Sequence, residues 1–139
     1  RYSDRYHLFR LVAHLSKYWT AEVAVQTAKW AMEAHGGAGI LADYPVERLL
    51  REAMILGIWE GTPHRQILDG MEVVEKKRVH VPLLDGIAAR GGNPVALAMS
   101  RAEVDDWLTL PADRKEAESE RVFARLAATV ARELRRATL

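Results

Sequence analysis

The chain has 139 residues, which fits one domain of ordinary size and leaves little room for two. Hydrophobic residues make up 49% and charged residues 28%, and these proportions exclude an intrinsically disordered chain. The net charge of +1 argues against a nucleic-acid footprint over the whole domain, and the absence of cysteine excludes disulfides and thiolate chemistry.

No apolar run approaches the length of about 18 residues that a membrane span needs, so we expect a cytoplasmic protein with no membrane partner. The chain opens Arg1-Tyr2-Ser3-Asp4, with neither an initiator Met nor a signal-peptide pattern. We therefore expect a piece of a longer protein.

The first 35 residues predict one long helix. Neither Pro nor Gly occurs from Asp4 to His35, and apolar residues recur every three or four positions. One stripe holds Leu8, Leu11, Val12, Leu15, Trp19, Val23, Trp30 and Ala34, and a second side holds Ala21, Ala24, Val25, Ala28, Ala31 and Met32. Because a helix that is apolar on two sides packs between neighbours, we expect the chain to self-associate as a homodimer or homotetramer. Gly36 and Gly37 end the helix.

Four more helices are predicted, each marked by a Pro near its start. The predicted order is a loop over 36–44, a short helix from Pro45, a turn over 57–61, a helix from Thr62-Pro63 to about Glu75, a connector over 76–92, a helix from Asn93-Pro94 to about Trp107, and a last helix from Pro111 to about Arg136. No alternating strand pattern occurs. The fold is predicted to be all-α, a helical bundle.

The usual metal and nucleophile patterns are missing. No histidine lies in an HExxH or His-x-x-x-His spacing, and no serine lies in a nucleophile elbow. We predict no metal site from these residues.

The middle of the chain carries four sequence motifs in a specific order and spacing. In order these are Gly36-Gly37-Ala38-Gly39-Ile40, Asp43-Tyr44-Pro45-Val46-Glu47-Arg48, Arg51-Glu52-Ala53 and Ile58-Trp59-Glu60-Gly61-Thr62. The string resembles the C-terminal helical domain of the acyl-CoA dehydrogenases, FAD-dependent enzymes that desaturate acyl-CoA thioesters. The resemblance implies that residues 1–78 are part of such a domain and that residues 79–139 are a helical tail extension packed on it.

The resemblance also implies a catalytic residue. Glu60 falls on the family's catalytic carboxylate, which removes the α-proton of the acyl-CoA while hydride leaves the β-carbon for the flavin. Such a base works best in an apolar, water-free pocket. Trp59 and Gly61, on either side of it, are the implied substrate-binding residues. Glu47 and Glu52 are the nearest rivals, and we expect them to pair with Arg48 or Arg51 on the short helix.

FAD is the implied cofactor. Gly36 and Gly37 fall where the family brings the ADP portion of the flavin, from a neighbouring subunit, against exposed backbone. Thr62 matches a residue that contacts the flavin, and a helix N-cap is its competing role. The implied partners are an acyl-CoA substrate and electron-transfer flavoprotein as the electron acceptor. We expect the fragment alone to lack FAD and activity.

Three departures from the family pattern concern the flavin and the substrate. Glu33 replaces a Gln, His64 stands where Gln is usual, and Trp59 stands where Tyr is common. The Trp-Glu-Gly form and the long tail resemble the branch that contains the adaptive alkylation-response flavoprotein. The alternatives are a flavoprotein of that type whose basic tail binds DNA or a partner, and a purely structural oligomerisation domain.

The last helix carries a row of arginines opposite its apolar stripe. Arg121, Arg125, Arg132 and Arg136 fall within about 60° of one another on a helical wheel. This arginine row would suit phosphate groups. The simpler interpretation, which we favour, is a solvated helix face whose charge is offset by glutamates.

Overall fold

Six α-helices and one short 3₁₀ helix make up the regular structure of residues 2–137, the part of the chain that the computed structural model describes. They are α1 (Asp4–Ala34), the 3₁₀ helix (Gly36–Ile40), α2 (Pro45–Leu56), α3 (Pro63–Lys77), α4 (His80–Ala88), α5 (Pro94–Thr109) and α6 (Ala112–Ala137). Within these residues there is no strand, which confirms the all-α prediction. None of these helices is long and apolar enough to cross a membrane. The predicted segments 1–78 and 79–139 include three terminal residues that lie outside the described part of the chain: Arg1, Thr138 and Leu139.

Side-chain caps confirm the predicted helix starts at Thr62 and Asn93. Thr62 Oγ1 accepts a hydrogen bond from the N–H of Arg65 at 3.4 Å, and Asn93 Oδ1 accepts one from the N–H of Val95 at 3.0 Å. Gly36 follows α1 with a φ of 57°, the left-handed conformation that ends many helices.

The core lies where α1, α3 and α6 meet, and α4 and α5 close it on the remaining side. Its most deeply buried side chains include Leu11 on α1, Val74 on α3 and Phe123 on α6. The rings of Tyr18 and Phe123 meet edge to face, with their centroids 5.4 Å apart. The helices after residue 79 therefore share one core with the helices before it.

Helix α4 corrects the prediction of a connector over 76–92. Its apolar residues Leu83, Leu84 and Ile87 are buried, and the cap residue Val79 is buried with them. Pro82 is compatible with α4 because it is the third helical residue, where its missing N–H has no intrahelical partner to lose.

The C-terminal half of α1 keeps exposed apolar side chains, which fits the expectation that another copy of the chain covers them. Leu11, Leu15 and Ala21 are buried, whereas Trp30 keeps 61% of its surface exposed and Val23 is also exposed. Helix α1, the 3₁₀ helix and α2 contact one another at this end of the molecule. Together with the turn after α2 they form what we call the apolar surface, made up of Val23, Trp30, Ile40, Leu41, Leu49, Met54, Ile55, Leu56, Ile58 and Trp59, all exposed.

Candidate active site

The turn that joins α2 to α3 carries four of the predicted site residues side by side. Helix α2 ends as the N–H groups of Ile58 and Trp59 both bond to the carbonyl of Ile55, at 2.9 and 3.1 Å. The next two residues have positive φ angles, 55° at Glu60 and 102° at Gly61. Thr62 then caps α3. The sequence Trp59-Glu60-Gly61-Thr62 thus forms one turn at the surface.

The side chain of Glu60 is exposed to solvent, and so are its neighbours Ile58 and Trp59. The chain by itself therefore does not enclose Glu60 in the apolar, water-free pocket that the predicted chemistry requires. Within residues 2–137, no group of three or more His, Asp or Glu side chains is arranged to hold a metal ion. What the turn offers chemically is a carboxylate that can accept a proton, beside exposed apolar side chains.

Three residues that the sequence analysis did not single out hold this turn. The side chain of Gln66 on α3 bonds back to the carbonyls of Glu60 and Gly61, and it also meets His14 of α1. Lys17 of α1 donates to the carbonyl of Leu56, at the end of α2. These contacts join residues up to 52 positions apart in sequence, so no local pattern could have indicated them.

The two rival carboxylates, Glu47 and Glu52, form ion pairs along α2 as predicted. Glu52 pairs with Arg48 at 2.7 Å, and Glu47 pairs with Arg51 at 2.9 Å, both along α2. These i, i+4 pairs stabilise the exposed face of a helix. They confirm the expected pairing of Glu47 and Glu52.

The glycines after α1 present bare backbone to solvent. Gly36 and Gly37 are exposed, and a Cβ placed on either would meet nothing within 4 Å. Gly39 is different, because it is buried and its Cβ would lie 3.0 Å from the backbone carbon of Met32. Glu33, the departure that would repel a phosphate, lies 3.6 Å from the ammonium of Lys29, which offsets part of its charge.

The turn and the glycine pair are not brought together within the chain. The turn lies beside His14 and Lys17 of α1, whereas Gly36 follows the end of the same helix. At about 1.5 Å per residue, Lys17 and Ala34 are about 25 Å apart along α1. The predicted catalytic residue and the predicted flavin-binding glycines therefore form two separate regions of one chain.

The arginine row on α6 is largely neutralised by carboxylates. Glu103 of α5 accepts from Arg121 and, at 2.9 Å, from Arg125. Glu133, whose side chain is buried, lies 2.9 Å from Nε of Arg132 and 3.9 Å from Arg136. A hydrogen bond from the backbone N–H of Asn93, together with the arginines, lowers the pKa of Glu133 below its usual range. The row is thus part of an ion-pair network between α5 and α6.

Comparison with known proteins identifies the family. The model of the acyl-CoA dehydrogenase C-terminal domain matches residues 2–74. The chain is 43% identical over 54 residues to a 3-(aryl)acrylate reductase of Clostridium sporogenes, covering 39% of this chain and 14% of that protein. It is 45% identical over 56 residues to an acyl-CoA dehydrogenase of Bacillus subtilis, covering 40% of this chain and 15% of that one.

A short/branched chain specific acyl-CoA dehydrogenase of Rattus norvegicus is 44% identical over 55 residues, covering 40% of this chain and 13% of its own. The matched part is thus a small share of each relative's length. The solved structure of Bd2924 in its apo form superposes with a TM-score of 0.80 and 26% identity, over 100% of this chain and 27% of that one. The chain belongs to the acyl-CoA dehydrogenase family, matching its C-terminal domain.

Proposed function

We propose that the chain is the C-terminal helical part of an FAD-dependent acyl-CoA dehydrogenase, in which Glu60 is the base for α,β-desaturation of an acyl-CoA thioester. The observation that carries the proposal is the turn from Trp59 to Thr62, which presents a carboxylate beside apolar side chains within the region matched by the family model. Residues 1–78 form the family domain in this proposal, and residues 79–139 are a tail packed on it through α6.

In the proposed reaction, Glu60 acts through its carboxylate, which has to be held in position. Glu60 accepts the α-proton, and the electrons of the α C–H bond form the new double bond as hydride leaves the β-carbon. FAD, when bound, supplies the acceptor for that hydride, and we take electron-transfer flavoprotein as the next acceptor. Ile58 and Trp59 would cover one side of the acyl chain, so that binding of the substrate expels water from Glu60.

The residues that would hold FAD can contact one edge of the cofactor. A phosphate-bearing group can come close to the backbone of Gly36 and Gly37, because no side chain stands in the way. The hydroxyl of Thr62 accepts from Arg65 and keeps its own hydrogen to donate. The rest of such a site has to come from outside residues 2–137.

The separation between the two regions favours a site shared by two copies. The turn that carries Glu60 lies beside Lys17, whereas Gly36 follows the end of α1, and these two points on α1 are roughly 25 Å apart. A flavin beside Glu60 of one subunit would meet the glycine pair of a neighbouring subunit. This arrangement accounts for the apolar surface, which an assembled homodimer or homotetramer would cover.

Replacement of Glu60 by Gln in the full-length protein tests the proposal. Gln keeps the size of Glu but cannot accept the α-proton, so reduction of bound FAD by acyl-CoA should slow by about 10²–10⁴-fold. The measurement is flavin bleaching in stopped flow, on protein checked for its FAD content. The matched controls are Glu47→Gln and Glu52→Gln, whose loss should weaken α2 before it affects the rate. Bleaching of the Glu60→Gln protein at the wild-type rate would place the base elsewhere.

A further inference from the structure

We propose that Gln66, held in turn by His14, is a positioning residue that fixes the backbone of the turn carrying Glu60. The inference rests on the proposed role of Glu60 as the base. The inference adds an explanation of how this chain holds the exposed carboxylate of Glu60 in one position.

The orientation of the Gln66 side chain is set by the groups around it. Its Nε2 lies 3.1 Å from the carbonyl oxygen of Glu60 and 3.3 Å from that of Gly61, and its Oε1 lies 2.9 Å from Nδ1 of His14. Carbonyl oxygens can only accept, so the amide NH₂ has to face the turn and the amide oxygen has to face the histidine. Nδ1 of His14 must therefore carry a hydrogen. Gln66 links α1, α3 and the turn by three hydrogen bonds while it is 94% buried, with 6% of its surface exposed.

The turn has a physical need for such a partner. Glu60 adopts a φ of 55°, which is unfavourable for a residue with a Cβ, and Gly61 follows with a φ of 102°. The side chains of Ile58, Trp59 and Glu60 are exposed and add little packing. Bonds to the backbone of the turn are therefore what can hold this conformation.

A second contact holds the other end of the turn to the same face of α1. Lys17 donates to the carbonyl of Leu56, three residues along α1 from His14. The fit around Gln66 is close, because a Cβ on Gly61 would lie 2.8 Å from its Nε2. Glu60 is thus carried on a turn clamped at both ends to α1, directly by Lys17 and through Gln66 by His14.

The hydrogen bonds from Gln66 to the turn predict the effect of removing its side-chain amide. Without Gln66 the turn would sample other conformations, and Glu60 would spend less time against the substrate. A displacement of about 1 Å at a catalytic group can cost about 10²-fold in rate. The flavin-reduction rate should fall while the KM for acyl-CoA stays within about twofold, since Gln66 is buried behind the turn.

Hydrogen exchange in the chain of residues 1–139 tests the clamp without any reaction. Gln66→Met keeps the length of the side chain and removes its polar groups. We expect the amides of Ile58 and Trp59, which bond to the carbonyl of Ile55, to exchange at least about tenfold faster, while those of Val73 and Val74 in the core of α3 keep the wild-type rate. Gln26→Met, at a half-buried glutamine on α1, is the matched control and should leave the turn unchanged.

Two further variants keep the test decisive if Gln66→Met unfolds. Gln66→Glu keeps an acceptor for His14 but cannot donate to the two carbonyls, and His14→Phe removes the donor to the amide; each should also release the turn. Wild-type exchange at Ile58 and Trp59 in all folded variants would overturn the clamp. Normal flavin reduction in the Glu60→Gln protein would instead overturn the base assignment and leave the exchange result standing.

Discussion

Gly70 on α3 and Phe123 on α6 lie in such close contact that residue 70 has no room for a side chain. A Cβ placed on Gly70 would lie 3.0 Å from Cζ of Phe123 and nearer still to its Cε2. On another side the same ring meets Tyr18 of α1 edge to face. One phenylalanine from the last helix thus closes the core between α1 and α3, and this explains why the C-terminal helices cannot be treated as a loosely attached tail.

Gly70→Ala should therefore destabilise the chain, although Ala is the better helix former. Helix propensity favours the variant by about 1 kcal/mol, but the buried Phe123 ring cannot give way, and overpacking costs about 1–3 kcal/mol. We expect a net loss of up to about 2 kcal/mol in the free energy of unfolding, measured with denaturant.

The matched control for this change is Gly86→Ala on α4. The nearest group to its Cβ is the flexible end of Arg90, at 3.4 Å, so this variant should be neutral or slightly stabilised. Phe123→Leu in the Gly70→Ala background should recover part of the loss, because it removes the collision. Simple addition of the two single effects would show that the contact is not the cause.

His80 makes the stability of the α4–α5 packing depend on pH. Its ring is fully buried, and Nε2 lies 3.2 Å from Oδ1 of Asp105. Burial lowers the pKa of His80, and Arg78 and Arg101 act in the same direction against the opposing effect of Asp105. The unfolded chain therefore takes up a proton at a higher pH than the folded chain does.

The free energy of unfolding should accordingly lose the His80 contribution as the pH falls below about 6.5, and keep it in full above that value. One proton limits the slope to about 1.4 kcal/mol per pH unit. The measurement is denaturant unfolding at pH 7.5 and pH 5.0. His80→Gln should flatten the difference, whereas His64→Gln, at an exposed histidine, should leave it in place. Equal pH dependence in the His80→Gln and wild-type proteins would contradict the assignment.

The helix starts could be predicted from sequence because they depend on local chemistry. Thr62-Pro63 and Asn93-Pro94 each supply a side-chain acceptor and a residue with no N–H to satisfy. Helix α4 could not be predicted as easily, since it is only nine residues long and Pro82 falls within it. The apolar spacing of Val79, Leu83 and Ile87 was the signal for it.

The residues of the candidate site could be predicted from the sequence, but their arrangement in space could not. Glu60 and its neighbours could be identified by resemblance, but the bonds from Gln66 depend on how α3 packs against α1. The exposure of Trp30 fits the expected self-association, but an apolar pattern shows that a face can be buried, and not which partner covers it.

The apolar surface should drive self-association of the chain. It consists of exposed apolar residues from α1, the 3₁₀ helix, α2 and the turn, including two tryptophans. We expect sedimentation at micromolar concentration to give a mass above that of the monomer. Trp30→Asp and Ile55→Asp should shift the chain toward the monomer. Met99→Asp, at an exposed apolar residue on α5, is the control and should not. A folded wild-type monomer would contradict this.

The ion pairs of Glu103 should suppress binding of nucleic acid by α6. Glu103 accepts from both Arg121 and Arg125 at the N-terminal end of the arginine row, so a phosphate would have to displace a carboxylate that is already paired. We expect the wild-type chain to bind duplex DNA weakly at about 150 mM salt. Glu103→Gln releases Arg125 and leaves Arg121 paired only with Glu118, at 2.7 Å, so it should raise the affinity several-fold, with the gain shrinking as salt increases.

A matched control separates this effect from a change in net charge. Glu116→Gln removes the same charge from an exposed position on α6, about 140° around the helix from Arg121, and should change DNA affinity far less. Fluorescence anisotropy of a labelled duplex, titrated at several salt concentrations, measures both variants. Equal gains from the two substitutions would mean that net charge alone controls binding. Strong, salt-dependent binding by the wild-type chain would mean that phosphates outcompete Glu103, and the arginine row would then be a nucleic-acid site rather than a helix-pairing network.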